Sequence, residues 1–329
     1  MKRFLKIVGY LLGLVLILVI GSVAYLQLAF PQVPEASELT LDYSQERIER
    51  GEYLANHVTV CMDCHSTRDF SLFSGPPVPG TLGKGGDKFD HGMGFPGVFY
   101  SKNITPAGIS DYTDGELYRV ITTGVTKDNR PMFPVMPYLY YGKMDPEDIY
   151  SIIAYIRSLD PIDYEVPESS PDFPVNLILR TIPTPGEPTT IPSTSDQVAY
   201  GKYLVNASGC AECHTPVTEQ GQIIPELMFS GGRVFGNPDG SILRSSNITQ
   251  DATGIKDWTE ERFVNQFKQY VDSGYVAPKI PAGEFNSIMP WIMYGGMKED
   301  DLKAIYAYLK TIEPISNSVV KFTPAESAE

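Results

Sequence analysis

The pattern that most constrains this chain is Cys-x-x-Cys-His, which occurs twice, as "CMDCH" at 61–65 and "CAECH" at 210–214. The two copies use all four cysteines and two of the four histidines. Residues this scarce would form one copy by chance on the order of once in a thousand such chains, so two copies need a common cause. The pattern is the attachment signature of c-type haem. Its thiols add across the vinyl groups of one macrocycle, and the histidine that follows arrives beneath the iron as proximal ligand. Zinc ribbons place their Cys-x-x-Cys pairs about 15–20 residues apart, whereas Cys61 and Cys210 are separated by 149. A redox dithiol has no need of the histidine, and structural disulfides, possible in an exported protein, leave it unexplained. The expectation is two covalently bound haems c, held by Cys61, Cys64, Cys210 and Cys213, with His65 and His214 on the irons.

The motif belongs to a longer repeat. "RGEYLANHVTVCMDCHS" at 50–66 matches "YGKYLVNASGCAECHT" at 200–215, and "SKNITPAGISDYTDGELYRV" at 101–120 matches "SSNITQDATGIKDWTEERFV" at 245–264. "VMPYLYYGKMDPEDIYSIIAYIRSLDPI" at 135–162 matches "IMPWIMYGGMKEDDLKAIYAYLKTIEPI" at 288–315. One unit has been used twice. Each unit predicts a helix entering the haem motif (44–58 and 196–207), a middle helix (113–123 and 259–273) and a last helix (146–159 and 299–311). Asp145 before Pro146 reads as an N-cap followed by an N1 proline, and Ile149, Ile152, Ile153 and Ile156 give the helix its apolar face. Gly51 and Gly201, two residues before Tyr53 and Tyr203, permit close crossing of the first helix on the last. The fold expected is all-α: two tandem haem-binding domains, 44–160 and 196–315. Between them a Pro-rich linker, 161–195, reads as extended and semi-rigid, with "PVNLILR" apolar enough to dock. The tail 316–329 carries no readable element.

A haem iron with one histidine has a second axial position, and the repeat nominates its occupant. Met136 and Met289 each precede a proline in a loop, 71 residues after His65 and 75 after His214. A thioether favours reduced iron, and proline stiffens the loop that must reach over the macrocycle. Met132 aligns with Phe285 and Met293 with Tyr140, so neither is shared. Met144 and Met297 are shared but sit at N′ of the last helices, where apolar residues staple the first turn. His57 and His91 lack counterparts and read as packing or surface histidines. The Asn103-Ile-Thr105 and Asn247-Ile-Thr249 sequons, placed alike in both units, read as a structural turn rather than as glycosylation sites.

Lys2, Arg3 and Lys6 precede a run of 24 uncharged residues, Ile7 to Phe30. That exceeds the roughly 20 needed to span a bilayer, and the basic residues would stay on the cytoplasmic side. Ser22-Val23-Ala24 would serve as a cleavage site, but the apolar run continues past it, which favours an uncleaved anchor over 1–31. Either way the remainder is exported. Net charge is −14, and −17 without the first thirty residues, which excludes nucleic acid as a partner and suits solubility or basic partners.

Taken together, the two Cys-x-x-Cys-His motifs, the two Met-Pro loops, the "NIT" segments and the "YAYL"-type last helices resemble a known family. They are similar to the multihaem cytochrome c subunits of bacterial periplasmic alcohol and gluconate dehydrogenases, over about residues 45–315. The resemblance implies class I cytochrome c domains, His/Met ligation, and electron relay from a dehydrogenase towards a quinone or terminal oxidase at the outer face of the cytoplasmic membrane. Those subunits usually carry three haems and often a C-terminal anchor; this chain has motifs for two haems and an N-terminal apolar segment. The chain itself is expected to be an electron carrier and not an enzyme. The alternative is a dihaem peroxidase, which needs an iron with an open sixth position, and two near-identical Met-Pro loops argue against one. A cysteine-ligated thiosulfate-oxidising enzyme lacks its fifth cysteine, and no signalling module supports a sensor.

Overall fold

Each repeat is organised by three helices whose ends follow from local chemistry. The computed structural model describes residues 1–219, 221–237 and 239–325. The apolar segment is helix α1 (Lys2–Ala29), none of whose residues is buried. In the first unit, α2 (Gln45–Tyr53) runs into a π-helical turn (Leu54–Val58), followed by α3 (Asp114–Thr123) and α4 (Pro146–Ser158). The second unit has α5 (Gln197–Ala207), α6 (Glu260–Lys268) and α7 (Glu299–Leu309) at the matching places. Thr113 and Glu116 form a reciprocal capping box on α3, and Thr259, Asp145 and Asp196 accept from backbone N–H groups of the helices they open. The π turn has a sequence cause. Seven residues separate Tyr53 from Cys61, but six separate Tyr203 from Cys210, and a wider turn absorbs the extra residue without rotating the haem motif away.

The first and last helices of each unit cross at their glycines. A Cβ built on Gly51 would lie 1.8 Å from the Ser151 carbonyl oxygen, and one on Gly201 1.8 Å from that of Ala304. Around the two crossings lies one continuous core, fed by Leu54, Val58, Ile149, Ile152 and Ile153 from one unit and by Leu204, Leu302, Ile305 and Leu309 from the other. Met144 and Met297 are almost fully buried just ahead of α4 and α7, as staples should be.

The all-α expectation needs correction, because each unit also carries a small antiparallel sheet. Strands β1 (Lys88–Phe89), β2 (Gly97–Tyr100) and β3 (Ser170–Pro171) form one, and β4 (Val234–Gly236), β5 (Ile242–Arg244) and β6 (Phe322–Thr323) the other. The strands run two to four residues, too short for a two-residue period to stand out, and their third members come from far along the chain. The Pro-rich linker is therefore not a plain spacer: it gives β3 to the first unit's sheet, and Leu179 is buried within its apolar stretch. The tail does the same for the second unit through β6, and residues 326–329 lie outside the described residues.

One helix is shorter than its sequence suggests. The middle helix of the second unit ends at Lys268, not Ser273. Beyond it Tyr270 stacks on Trp291, ring centroids 5.2 Å apart, and on Phe73 at 5.7 Å, so the chain leaves the helix for tighter turns.

Candidate haem sites

Both Cys-x-x-Cys-His motifs open on a left-handed residue, Val60 (φ 45°) in one and Gly209 (φ 60°) in the other. That conformation turns the chain sharply from the first helix into the short helical turn that carries both thiols. Glycine adopts it freely, while valine must be held there by its surroundings. The holding contact recurs: the Tyr141 hydroxyl donates to the Thr59 carbonyl at 2.9 Å, and the Tyr294 hydroxyl to the Ser208 carbonyl at 2.7 Å. Both tyrosines are buried, and each stands five residues after the methionine of its Met-Pro loop. The loop that carries Met136 is thereby tied to the start of "CMDCH", and the loop that carries Met289 to the start of "CAECH".

The histidines are oriented alike. His65 Nδ1 lies 2.7 Å from the Lys102 carbonyl and His214 Nδ1 2.7 Å from the Ser246 carbonyl. A carbonyl only accepts, so Nδ1 carries the proton and Nε2 keeps its lone pair. Burial holds both imidazoles below the usual histidine range, which keeps them neutral. The carbonyls they meet belong to the residues just before Asn103 and Asn247. Each asparagine accepts from the N–H and hydroxyl of the threonine two residues on, and donates to the carbonyl of Ile162 or Ile315, both at 2.8 Å. Both asparagines are buried. The "NIT" segment is a turn that aims the histidine.

The four cysteines are unpaired thiols. Burial pushes Cys61 up, Cys210 to about 12 and Cys213 to about 11. Cys61, Cys210, Met136 and Met289 are part-buried and packed against the shared core. The acid inside each motif is paired with an arginine from a later loop, Asp63 with Arg68 at 2.9 Å and Glu212 with Arg233 at 3.2 Å. Of the other histidines, His91 pairs with Asp172 at the surface, and His57 Nδ1 donates to the Met293 carbonyl at 2.8 Å.

The family model for cytochrome c matches residues 198–313. Residues 198–313 form a cytochrome c domain.

Such a domain holds haem covalently, and the second copy of its motif gives the chain two haems c. Among curated proteins, the chain is 28% identical over 86% of its length to the cytochrome c subunit of a quinone alcohol dehydrogenase from Gluconacetobacter polyoxogenes, of which it covers 60%. It is 27% identical over 94% of its length to the cytochrome c subunit of gluconate 2-dehydrogenase from Pantoea cypripedii, covering 67% of that chain. A dihaem c-type cytochrome from Cereibacter sphaeroides is 27% identical over 92% of this chain and 97% of its own. The chain thus spans about three fifths of the alcohol dehydrogenase subunit and nearly all of the dihaem protein. The residues fit the group: in each motif two neutral thiols on one helical turn precede a neutral imidazole whose outer nitrogen is free to ligate.

Sequence reading missed the tyrosines and acids that join the two repeats. Asp148 of α4 accepts from Arg50 at 2.9 Å and from the Tyr203 hydroxyl of the other unit at 2.6 Å. Asp301, its counterpart on α7, accepts from Tyr200 at 3.0 Å and from the Tyr53 hydroxyl of the other unit. The two tyrosine hydroxyls also accept from the backbone N–H of Asp145 and Lys298, at the first turns of α4 and α7. The signal available was the repetition of Tyr53/Tyr203 and Asp148/Asp301, but a repeat does not say which copy pairs with which.

Proposed function

We propose that the protein is a dihaem electron-transfer subunit, with two tandem class I cytochrome c domains (44–160 and 196–315) and His65/Met136 and His214/Met289 as axial pairs. The observation that carries this reading is the double tie between motif and loop: Tyr141 to Thr59 and Tyr294 to Ser208. It fastens each Met-Pro loop to the chain entering its own haem motif. Haem iron, when bound, supplies the one-electron couple. The protein's part is to hold the ligands. The Lys102 and Ser246 carbonyls fix the imidazole rings, and Pro137 and Pro290 stiffen the loops, so that little rearrangement accompanies a change of charge. With a protein side chain on both axial positions, each site passes electrons and does not bind substrate. No feature of either loop favours the peroxidase alternative.

Helix α1 would anchor the chain in the cytoplasmic membrane with both haems on the outer face. At 28 residues it is about 42 Å long, sufficient for the hydrocarbon core and one headgroup layer. The donor in this reading is a dehydrogenase, as in the relatives' names, and the acceptor a quinone or terminal oxidase. Carbon monoxide tests the ligand assignment. The reduced protein should not bind it, and Met136→Ala and Met289→Ala should each open one haem to it and lower that haem's potential. A variant with an unchanged spectrum would remove its methionine from the ligand set. Gentle solubilisation of native membranes tests the partner, since a dehydrogenase should co-purify.

A further inference from the structure

The hydrogen bonds between the two units follow a pattern that neither unit shows alone. His57 and Asn206 each lie four residues before the first cysteine of their motif. His57 Nδ1 donates across the interface to the Met293 carbonyl at 2.8 Å, and Asn206 Nδ2 donates across it to the Tyr140 carbonyl at 3.0 Å. Met293 and Tyr140 stand at matching places, four residues after Met289 and Met136, on the short helical turn that closes each Met-Pro loop. Two different side chains thus make the same bond in opposite directions. The His57 ring packs so tightly there that a Cβ on Gly296 would lie 2.2 Å from it.

The second loop receives a further hold from the first unit. Ser74 Oγ donates to the Met289 carbonyl itself at 2.6 Å and accepts from the Trp291 N–H at 3.1 Å. Asn286 ties the same loop down by donating to the Phe70 and Leu72 carbonyls and accepting from the Ser74 N–H. The segment 69–75 therefore closes over the loop that carries Met289.

We infer that each unit positions the axial methionine of the other: His57 and Ser74 act on the Met289 side, and Asn206 acts on the Met136 side. This rests on the ligand assignment above, and adds that the two irons are tuned crosswise. A carbonyl bond four residues from the thioether restrains the loop's distance from the iron, and a slacker loop weakens the thioether's hold. His57, Ser74 and Asn206 are positioning residues, for none of them needs to touch the cofactor.

The test is redox titration of the full holoprotein with the two haems resolved, each assigned through its Met→Ala variant. His57→Ala and Ser74→Ala should lower the potential of the haem that loses its ligand in Met289→Ala, leave the other in place, and raise carbon monoxide binding only at the former. Asn206→Ala should do the reverse. His57→Asn, which supplies the donor used at Asn206, should restore most of the shift. If His57→Ala moved the potential of the haem in its own unit, or of neither, the crosswise assignment would be overturned. Where His57→Ala fails to assemble, as judged by covalent haem content, Ser74→Ala carries the same decision. If Met289→Ala itself left both haems unchanged, the ligand reading and not the crosswise hold would be at fault.

A separate observation concerns the linker. Arg180 donates to the Phe30 carbonyl at 3.0 Å and to the Gln27 carbonyl at 3.3 Å, capping the end of α1. Beside it the short helical turn 175–178 packs against α1; Phe173 is 80% exposed, Ile178 50% and Leu28 of α1 88%. These exposed apolar side chains belong to a segment tied to the end of a helix already read as membrane-spanning, and aromatic residues favour the lipid interface that such a helix end meets. We propose that residues 173–178 lie in the outer headgroup layer, as a second membrane contact that limits how far the haem units swing. The full chain in phosphatidylcholine vesicles that carry a photoreactive group near the headgroup should be labelled on α1 and on 172–180. Labelling of 172–180 should fall several-fold in Phe173→Asp/Ile178→Asp. Label on α1 alone would sink the contact, and none on α1 would sink the anchor reading beneath it.

Discussion

Gly51 and Gly201 are the residues where space alone dictates identity. A methyl group at either would meet a backbone carbonyl at 1.8 Å, and a backbone atom cannot swing away as a side chain can. Gly51→Ala and Gly201→Ala should each destabilise the protein by about 3 kcal/mol or more, at the upper end for overpacking, measured by chemical denaturation of the holoprotein. His57 supplies a pH dependence at the same scale. Burial, helped by the charge of Lys268, pushes it below the ordinary 6.5 against the opposing pull of the Met293 carbonyl. The unfolded chain then binds the proton more readily than the native one. The stability from neutral His57 is full above pH 6.5 and is lost as pH falls below that value. Stability of the wild type should therefore drop faster between pH 6.5 and 5 than that of His57→Asn, measured by denaturant midpoint at each pH.

At the scale of elements, the first turns of α4 and α7 each take a tyrosine from the other unit. Asp148 serves Arg50 of its own unit and Tyr203 of the other. Removing its carboxylate strands a guanidinium and a buried hydroxyl together. Asp148→Ala should cost about 2–3 kcal/mol, below the usual cost of breaking a fully buried pair because Arg50 keeps some contact with water. Tyr203→Phe removes only the cross-unit partner and should cost about 1 kcal/mol. A double-mutant cycle on the pair would read their coupling directly, and additivity would mean that the bond contributes nothing to the joint.

Across the whole molecule, charge governs encounter. Residues beyond the apolar segment carry −17, a field that attracts cationic partners over about a Debye length. The second-order rate of electron exchange with a basic soluble redox protein should fall steeply between 10 mM and 200 mM salt. Exchange with a neutral mediator should barely change. Stopped-flow mixing separates the two, and equal salt slopes would show that the surface charge does not steer.

Much of this molecule was determined by its sequence. Cys61, Cys64, His65 and their repeats name the cofactor because thioether attachment needs those residues at that spacing, whatever the fold around them. The cap at Asp145 and the glycines at 51 and 201 are local requirements, and the helices begin within a residue or so of where the repeat puts them. The 153-residue offset left two methionine pairs out of ten methionines, Met136/Met289 and Met144/Met297, and the proline after Met136 and Met289 chose between them. What the tertiary structure decided is everything that links one repeat to the other. The two sheets are completed by β3 from the linker and β6 from the tail, α6 stops where Tyr270 turns to stack on Trp291, and His57 reaches the loop of the opposite unit. A repeat fixes which residues are equivalent but not whether partners lie within a copy or between copies. That choice is made by packing, where two glycine crossings share one core and bring the first helix of each unit against the Met-Pro loop and last helix of the other.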